Sequence, residues 1–401
     1  MDSYLSLLKT RGVARIMAAQ LLARFPFGML SLALLLHVER THHSYAAAGL
    51  VLAATSIGQA IAGPLTSRWM GVWGMRRVLS LTTVVCGAGL VAIALMPVPV
   101  PMIMAIGFLA GLSTPPVQPA VRTIYPKMVN STQLTPLYSL DASAQEIIWV
   151  VGPVITTFVA IQISTMLAIL LAVGFLVGGG VWFMSSPEVG RVRIPRSKRS
   201  LGTVLVRPTV LLATVVGFLL VGACAAIEAG VVATFGDDGP ESGVILSLFA
   251  IGSLTGGLAL GHVPIGPWAM AKRLLIVFVG MSLAAVSLNF WWIGATLFLA
   301  GLGIAPAFAV MYTIVSASVK FSETAEAYGW VGTGQLIGAA LGSAVAGFMI
   351  DSFSAPGGYW VAVIFALLSV LVPTLFIRWY PDLRGKDISP IPDTAPISTV
   401  R

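Results

Sequence analysis

The feature that most constrains this chain is a succession of apolar blocks, each about as long as a bilayer is thick, separated by short stretches that hold nearly all of its basic residues. A hydrocarbon core about 30 Å thick needs roughly 20 apolar residues per helical crossing. Blocks of that kind run from Val13 to Arg378. Of the 401 residues, 57% are apolar and only 9% charged, whereas a soluble domain carries about a quarter charged residues. There is too little polar material to cover a water-facing surface. A membrane β-barrel would alternate polar and apolar residues in strands of about 10, and the blocks show no such alternation. The expected fold class is an all-α polytopic membrane protein.

Dividing the chain at Pro, Gly and charge clusters gives twelve spans, near 13–38, 44–68, 77–96, 101–124, 137–161, 165–185, 209–235, 242–262, 273–290, 291–318, 326–350 and 359–379. An even number places both termini on one side, and the distribution of Lys and Arg says which. With the amino terminus inside, Lys9, Arg11, Arg15, Arg68, Arg76, Arg77, Arg122, Lys127, the 191–207 cluster, Lys272, Arg273 and Lys320 are cytoplasmic. Of 23 basic residues only Arg40 lands outside and only Arg24 mid-span. Glu39, Asp237, Asp238, Glu241 and Asp351 fall in outer loops. The expected location is the cell membrane, multi-pass, with both termini cytoplasmic. The first apolar run, from about Ile16 to Val38, is too long for a signal-peptide core of roughly 7–15 residues, so it is expected to stay in the mature protein.

The formal charge of +8 is thereby a matter of topology, and no nucleic-acid partner is expected. Cys86 and Cys224 both lie in apolar spans, where a thiol behaves as a small hydrophobe, and no disulfide is predicted. The longest internal hydrophilic stretch divides the spans six and six. The expected units are an amino-terminal six-helix bundle (1–186), a cytoplasmic linker (187–208) suited to an anionic leaflet, a second six-helix bundle (209–380), and a tail (381–401) whose composition predicts disorder.

The two sets of six repeat one another. Ala110-Gly111-Leu112 meets Ala300-Gly301-Leu302, and Pro116, Tyr138, Gln145 and Gly152 meet Pro306, Tyr328, Gln335 and Gly342, all at an offset of 190. Gly49, Ile57-Gly58 and Gly63 meet Gly243, Ile251-Gly252 and Gly257 at 194, and Arg77 meets Arg273 at 196. A constant register across helices marks a structural repeat. A parallel six-plus-six repeat is one build of transporters, with substrate near the bilayer midplane between halves that rock.

At these residues the chain resembles the major facilitator superfamily, over about residues 10–380. The family's motif between the second and third helices is matched in GPLTSRWMGVWGMRR by Gly63, Gly74, Arg76 and Arg77, while Gly71 and Val72 stand where an Asp-Arg pair would be. The resemblance implies a latch between the halves on the cytoplasmic side, weakened or rebuilt here. The Gly-Pro pair prominent in the fifth helix of exporters is matched by Gly152-Pro153 in WVVGPVITT, with Thr156 and Thr157 in place of two further Gly. The exporters' Arg in the outer third of the fourth helix has no counterpart in Met102 to Phe108.

A charged residue in mid-span costs at least a few kcal/mol on insertion scales and is a functional candidate by default. Arg24 lies near the midplane of the first span. The fifth span carries Asp141, Gln145 and Glu146, with Asp141 and Gln145 on one face and Glu146 turned away by about 140°. The expected pairs are Arg24 with Glu146 and Asp141 with Arg122. Glu228, in the outer half of the seventh span with no evident basic partner, is the leading candidate proton carrier, and Glu326 is assigned to the start of the eleventh helix, where a carboxylate suits the helix dipole. His37, His42 and His43 lack further ligands at metal spacing, so no metal is expected. From the family arrangement, the candidates for substrate contact are Phe27, Gln59, Pro116, Gln118, Trp149, Met311, Tyr312, Trp330 and Gln335. Their aromatics, a Met and the absence of charge suit a bulky amphipathic or cationic compound.

No G-x-x-x-x-G-K-[ST] loop is present, and no nucleophile or metal constellation points to an enzyme. The energy source expected is an ion gradient, with no cofactor. The leading reading is a secondary transporter working by alternating access, a proton-coupled exporter of small amphipathic or drug-like molecules. Expected partners are the substrate and membrane lipids, with a monomer as the family's default. An importer or uniporter of a metabolite or lipid, and a non-transporting receptor, are the alternatives.

Overall fold

The computed structural model describes residues 2–197, 199–236 and 240–394, without the side chains of Asp2, Ser3 and Leu5. The expected outer-loop residues Asp237 and Asp238, and the last seven residues of the tail, lie outside it. Among the described residues there is no β-strand, and eleven helices are long and apolar enough to cross a membrane. In chain order they are α1 (Val13–His42), α2 (Tyr45–Trp73), α3 (Met75–Leu95), α4 (Val100–Lys127), α5 (Ser131–Gln162), α6 (Thr165–Ser185), α7 (Pro208–Phe235) and α8 (Glu241–Leu260), followed by α10 (Phe290–Ser318), α11 (Phe321–Phe353) and α12 (Pro356–Leu375). The ninth place belongs to α9 (Ala269–Ala284), which at 16 residues is the short member of the set. Sequence reading expects this span at 273–290. The helix instead starts a turn earlier and stops at Ala284, so that Arg273 lies inside it and donates to the carbonyls of Leu260, Val263 and Ala269.

Local chemistry sets the ends. Ser44 and Ser164 accept backbone N–H groups at the starts of α2 and α6, and Asn289 accepts from both Trp291 and Trp292 at the start of α10, satisfying donors that a helix leaves free. A single residue, Gly74, joins α2 to α3 at φ +90°, a conformation costly for any residue with a Cβ.

Two spans are discontinuous, and both belong to the first six. α1 tightens at Pro26 into a 3₁₀ turn over Phe25–Gly28. α4 breaks between Leu112 and Val117, where Pro115 and Pro116 remove backbone donors.

The repeat is visible in the packing. A Cβ on Gly58 of α2 would collide with the carbonyl oxygen of Phe108 in α4, and one on Gly252 of α8 with that of Phe298 in α10. The same small-residue crossing is thus made twice, at the register of the sequence repeat. Without a hydrophobic driving force between helices in lipid, close backbone approach at such residues supplies the packing.

The connector between the sixes is pinned to both. Glu188 pairs with Arg15 at 2.5 Å, and Arg199 and Arg207 both pair with Glu323 at the start of α11. The expectation of a disordered tail is corrected as far as Thr394. Leu383 donates its N–H to the carbonyl of Ile265, and Ile391 exchanges main-chain bonds with Val319 and Phe321. Asp393 accepts the N–H of Ser322, so the tail caps α11. A short amino-terminal helix, Asp2–Lys9, is held in turn by Tyr4, whose hydroxyl donates to the carbonyl of Gly257 in α8.

Among the described residues, the side-chain hydrogen bonds that join the first six spans to the last six lie in the halves of the helices nearer the termini. They are Tyr138 with Tyr328, Ser139 with Gly257, Thr135 with Thr313, Arg68 with Glu326, Thr333 with Ala60, and Ser253 with Glu146. The molecule is closed on the side of its termini.

Candidate functional site

The discontinuities of α1 and α4 flank one buried cluster. Arg24 ends the first segment of α1, Arg122 sits in the second segment of α4, and both face Asp141 of α5. Arg24 Nη1 lies 3.3 Å from Asp141 Oδ1, and Arg122 Nη2 lies 3.1 Å from Oδ2. All three side chains are at most 3% exposed. Gln20 and Tyr125 also donate to Asp141 Oδ1, at 3.0 and 3.1 Å. One carboxylate therefore serves two guanidinium groups, an amide and a phenol.

The other guanidinium donors go to neutral acceptors. Arg24 donates to Gln20 Oε1 at 2.8 Å and to Gln145 Oε1 at 2.5 Å. The amide of Gln118, turned with its oxygen toward Arg122, accepts at 2.5 and 2.8 Å. The Arg122 guanidinium also stacks on the ring of Tyr312, 3.4 Å from its centroid, and Gln335 holds the Tyr312 hydroxyl at 3.1 Å. Tyr312 brings the last six spans into the cluster. Its ring lies parallel to that of Phe308, with centroids 5.9 Å apart.

A second constellation lies farther from the termini. Glu146, half-buried, accepts the hydroxyl of Ser253 in α8 at 2.7 Å. It is within electrostatic range of Glu228 in α7. Glu228 is exposed on the protein's own surface and has no hydrogen-bond partner among the described residues.

The family model of the Major Facilitator Superfamily matches residues 16–288 and 210–399. The chain belongs to this superfamily. No sequence among the curated proteins matches it. Solved structures of the superfamily's fold superpose over nearly the whole chain. The human organic anion transporter MFSD10 does so at 15% identity and a TM-score of 0.69, covering 90% of this chain and 99% of that one. A bacterial homologue of the iron transporter ferroportin, in an outward-facing state, gives 12% and 0.73 over 92% and 99%. The proton:xylose symporter XylE, bound to 6-bromo-6-deoxy-D-glucose, gives 14% and 0.68 over 94% and 97%. At such identities the likeness is one of fold. As a superfamily member the chain is a membrane transporter and not an enzyme.

With the superfamily architecture in place, the expected residues sort clearly. The Arg24–Glu146 pair is corrected: Arg24 binds Asp141, and Glu146 points to Ser253. Asp141 and Gln145, four residues apart, share the face toward α1, while Glu146 is turned toward α8 by the pitch of the helix. The Asp141–Arg122 contact forms, but inside a three-charge cluster. Gln118, Tyr312 and Gln335 join that cluster. Pro116 makes the break in α4, Met311 is fully buried, Phe27 and Gln59 are half-buried, and Trp149 is exposed. Trp330 does not reach the centre: its ring packs near Gly202 of the connector.

Among the motif residues, Gly63 approaches the backbone of Gly329, and Gly152 that of Gly28. Pro153 follows inside α5 without breaking it. Arg76 reaches the carbonyl of Ser186 at 3.3 Å, and Arg77 is exposed. The place of the missing Asp-Arg pair is taken by a different latch, Arg68 with Glu326 at 2.9 Å. Glu326 also accepts the N–H of Gly202 at 2.8 Å, so it does more than favour a helix dipole.

Sequence reading missed Gln20, Tyr125 and Ser253. Gln20 had a signal, since it precedes Arg24 by one helical turn. Tyr125 and Ser253 had none, because their partners come from other spans.

Proposed function

We propose that this transporter is a proton-coupled exporter of small amphipathic molecules, working by alternating access between its two six-helix halves at the cell membrane, with both termini cytoplasmic. The observation that supports proton coupling is a carboxylate in a span of each half, Glu146 and Glu228, near enough to act on one another electrostatically. Charged together they repel, and a proton taken up by either removes the repulsion, so protonation biases how the halves approach. The hydrogen bond from Ser253 ties the Glu146 carboxylate to the other half of the molecule. Gly152-Pro153 matches the exporters' pair and supports the exporter branch, with α5 packed closely on α1 inside the first half at Gly152 and Gly28.

The energy source is then the proton gradient, with no cofactor, and the working unit is a monomer among membrane lipids. The test is proton release from the purified protein on adding amphipathic compounds, alongside proteoliposome flux driven by an imposed pH gradient, in the wild type and in Glu228→Gln and Glu146→Gln. Gradient-driven flux that both variants lose supports the reading. Flux that ignores the gradient in the wild type would make the protein a uniporter, and binding without any flux a receptor.

A further inference from the structure

We infer that Arg24 and Arg122 together receive a carboxylate group of the transported molecule, so that the cargo is an amphipathic organic anion. This rests on the transport reading above and supplies its substrate class. Among the described residues, Asp141 is the only carboxylate within ion-pair distance of either guanidinium. Two buried cations share one anion, which leaves one positive charge uncompensated where desolvation is most expensive.

The arrangement of the neutral partners shows where a further anion fits. Behind the guanidinium groups, Gln20 and Asp141 are fully buried. On the side away from the termini, Gln145 and Gln118 are only half-buried. Each lies one helical turn, about 6 Å, beyond the charged residue on its own helix, Asp141 in α5 and Arg122 in α4. These two amides lie on the side of the guanidinium groups away from the closed, terminal side of the molecule. Each offers a carbonyl oxygen to one guanidinium, at 2.5 Å from Gln145 to Arg24 and 2.5 and 2.8 Å from Gln118 to Arg122.

An amide oxygen is a weaker partner for a guanidinium than a carboxylate, whose bonds are charge-assisted and frequently bidentate. The two glutamines are placeholders. A substrate carboxylate that displaces them gains charge-assisted bonds and supplies the missing negative charge, while the glutamine side chains swing to water or to the substrate's polar groups. Tyr312, fixed by Gln335 and stacked with Phe308, provides apolar surface for the remainder of the molecule. The positive surplus disfavours a cationic cargo, for which sequence composition alone left room.

The experiment is equilibrium binding to the purified protein of a panel of aryl carboxylates of increasing size, from benzoate to naphthoate and larger, each paired with its primary amide and its arylmethylammonium analogue. The expected result is at least one carboxylate bound about 100-fold more tightly than its amide, the scale of two charge-assisted bonds. Gln145→Glu and Gln118→Glu place a resident carboxylate on the same guanidinium groups and are expected to reduce that preference at least tenfold. Their thermal unfolding midpoints should be no lower than wild type, which separates the effect from misfolding. Carboxylates bound no better than their partners, none of them bound at all, or a preference that survives both variants would overturn the inference. Gradient-driven flux of a neutral compound without carboxylate preference would sink this inference and leave proton coupling standing. A carboxylate preference with gradient-independent flux would do the reverse.

Discussion

Tyr138 and Tyr328, 190 residues apart, meet hydroxyl to hydroxyl at 2.8 Å between the two halves of the molecule. Tyr328 donates to the carbonyl of Tyr312 at 2.9 Å, which leaves its oxygen to accept from Tyr138, whose hydroxyl also comes within 3.3 Å of the carbonyl of Arg122. Arg122 and Tyr312 are themselves 190 residues apart, and they stack on each other. Repeat-equivalent residues thus touch across the pseudo-symmetry axis, and the contact belongs to the closed side.

Replacing both tyrosines with Phe should weaken that closure while leaving each half folded. A net hydrogen bond is worth about 0.5–1.5 kcal/mol, so the population open at the termini side should rise by up to roughly tenfold. Pulsed electron-spin distances between labels on the exposed positions Arg77 and Lys272 would read the shift. An unchanged distance distribution would mean that the tyrosines do not hold the gate.

The Arg68–Glu326 latch predicts a second opening mutation by a different route. Glu326→Gln removes a charge-assisted contact worth about 1.5–3 kcal/mol and weakens the bond to the Gly202 N–H, so the same distances should lengthen. The swapped pair Arg68→Glu with Glu326→Arg should recover part of the closed population, since it restores the attraction between α2 and α11. No recovery would assign the effect to the connector instead.

Asp141→Asn should be the most damaging single change in the centre. It leaves two buried guanidinium groups without a counter-ion, a loss of about 3–5 kcal/mol, to be read as a lowered thermal unfolding midpoint in detergent. A midpoint within error of wild type would show that the glutamines and the Tyr312 ring suffice to hold both charges.

The tail makes a milder prediction. Asp393→Ala removes the cap that the tail lends to the Ser322 N–H of α11 and should cost about 1 kcal/mol, visible as faster proteolysis of the segment after Tyr380. The docked turn that presents Leu383 to Ile265 is shaped by Asp382, whose carboxyl is held down to about 2 by hydrogen bonds from the Arg384 side chain and backbone. Because this pKa lies below the ordinary 3.8, the contribution is complete above about 4 and fades as pH falls through 2. Protection of the tail should accordingly be the same at pH 8 and pH 5.

The spans, their number and their repeat were legible because each is a local or periodic property of the chain. Glycines at an offset of 194 and tyrosines at 190 could be matched without knowing what they touch. The partner of Arg24 was not legible in the same way. Depth in the membrane pointed to Glu146, but the turn of α5 at Arg24 gives Asp141 and Gln145 to one face, and only the approach of α1 to α5 at Gly28 and Gly152 selects that face. Ser253 and Glu228 likewise acquire their relation to Glu146 from helices that lie more than 80 residues away along the chain.

What the sequence determined by itself is that this chain lives in a membrane as a repeated helical bundle, since the cost of exposing backbone and charge to hydrocarbon leaves few alternatives. The tertiary structure alone decided that two arginines share one aspartate, that four glutamines and two tyrosines complete the cluster, and that the tail folds back on α11. Those outcomes depend on helix rotation and crossing, which a long apolar segment leaves free and only its neighbours fix.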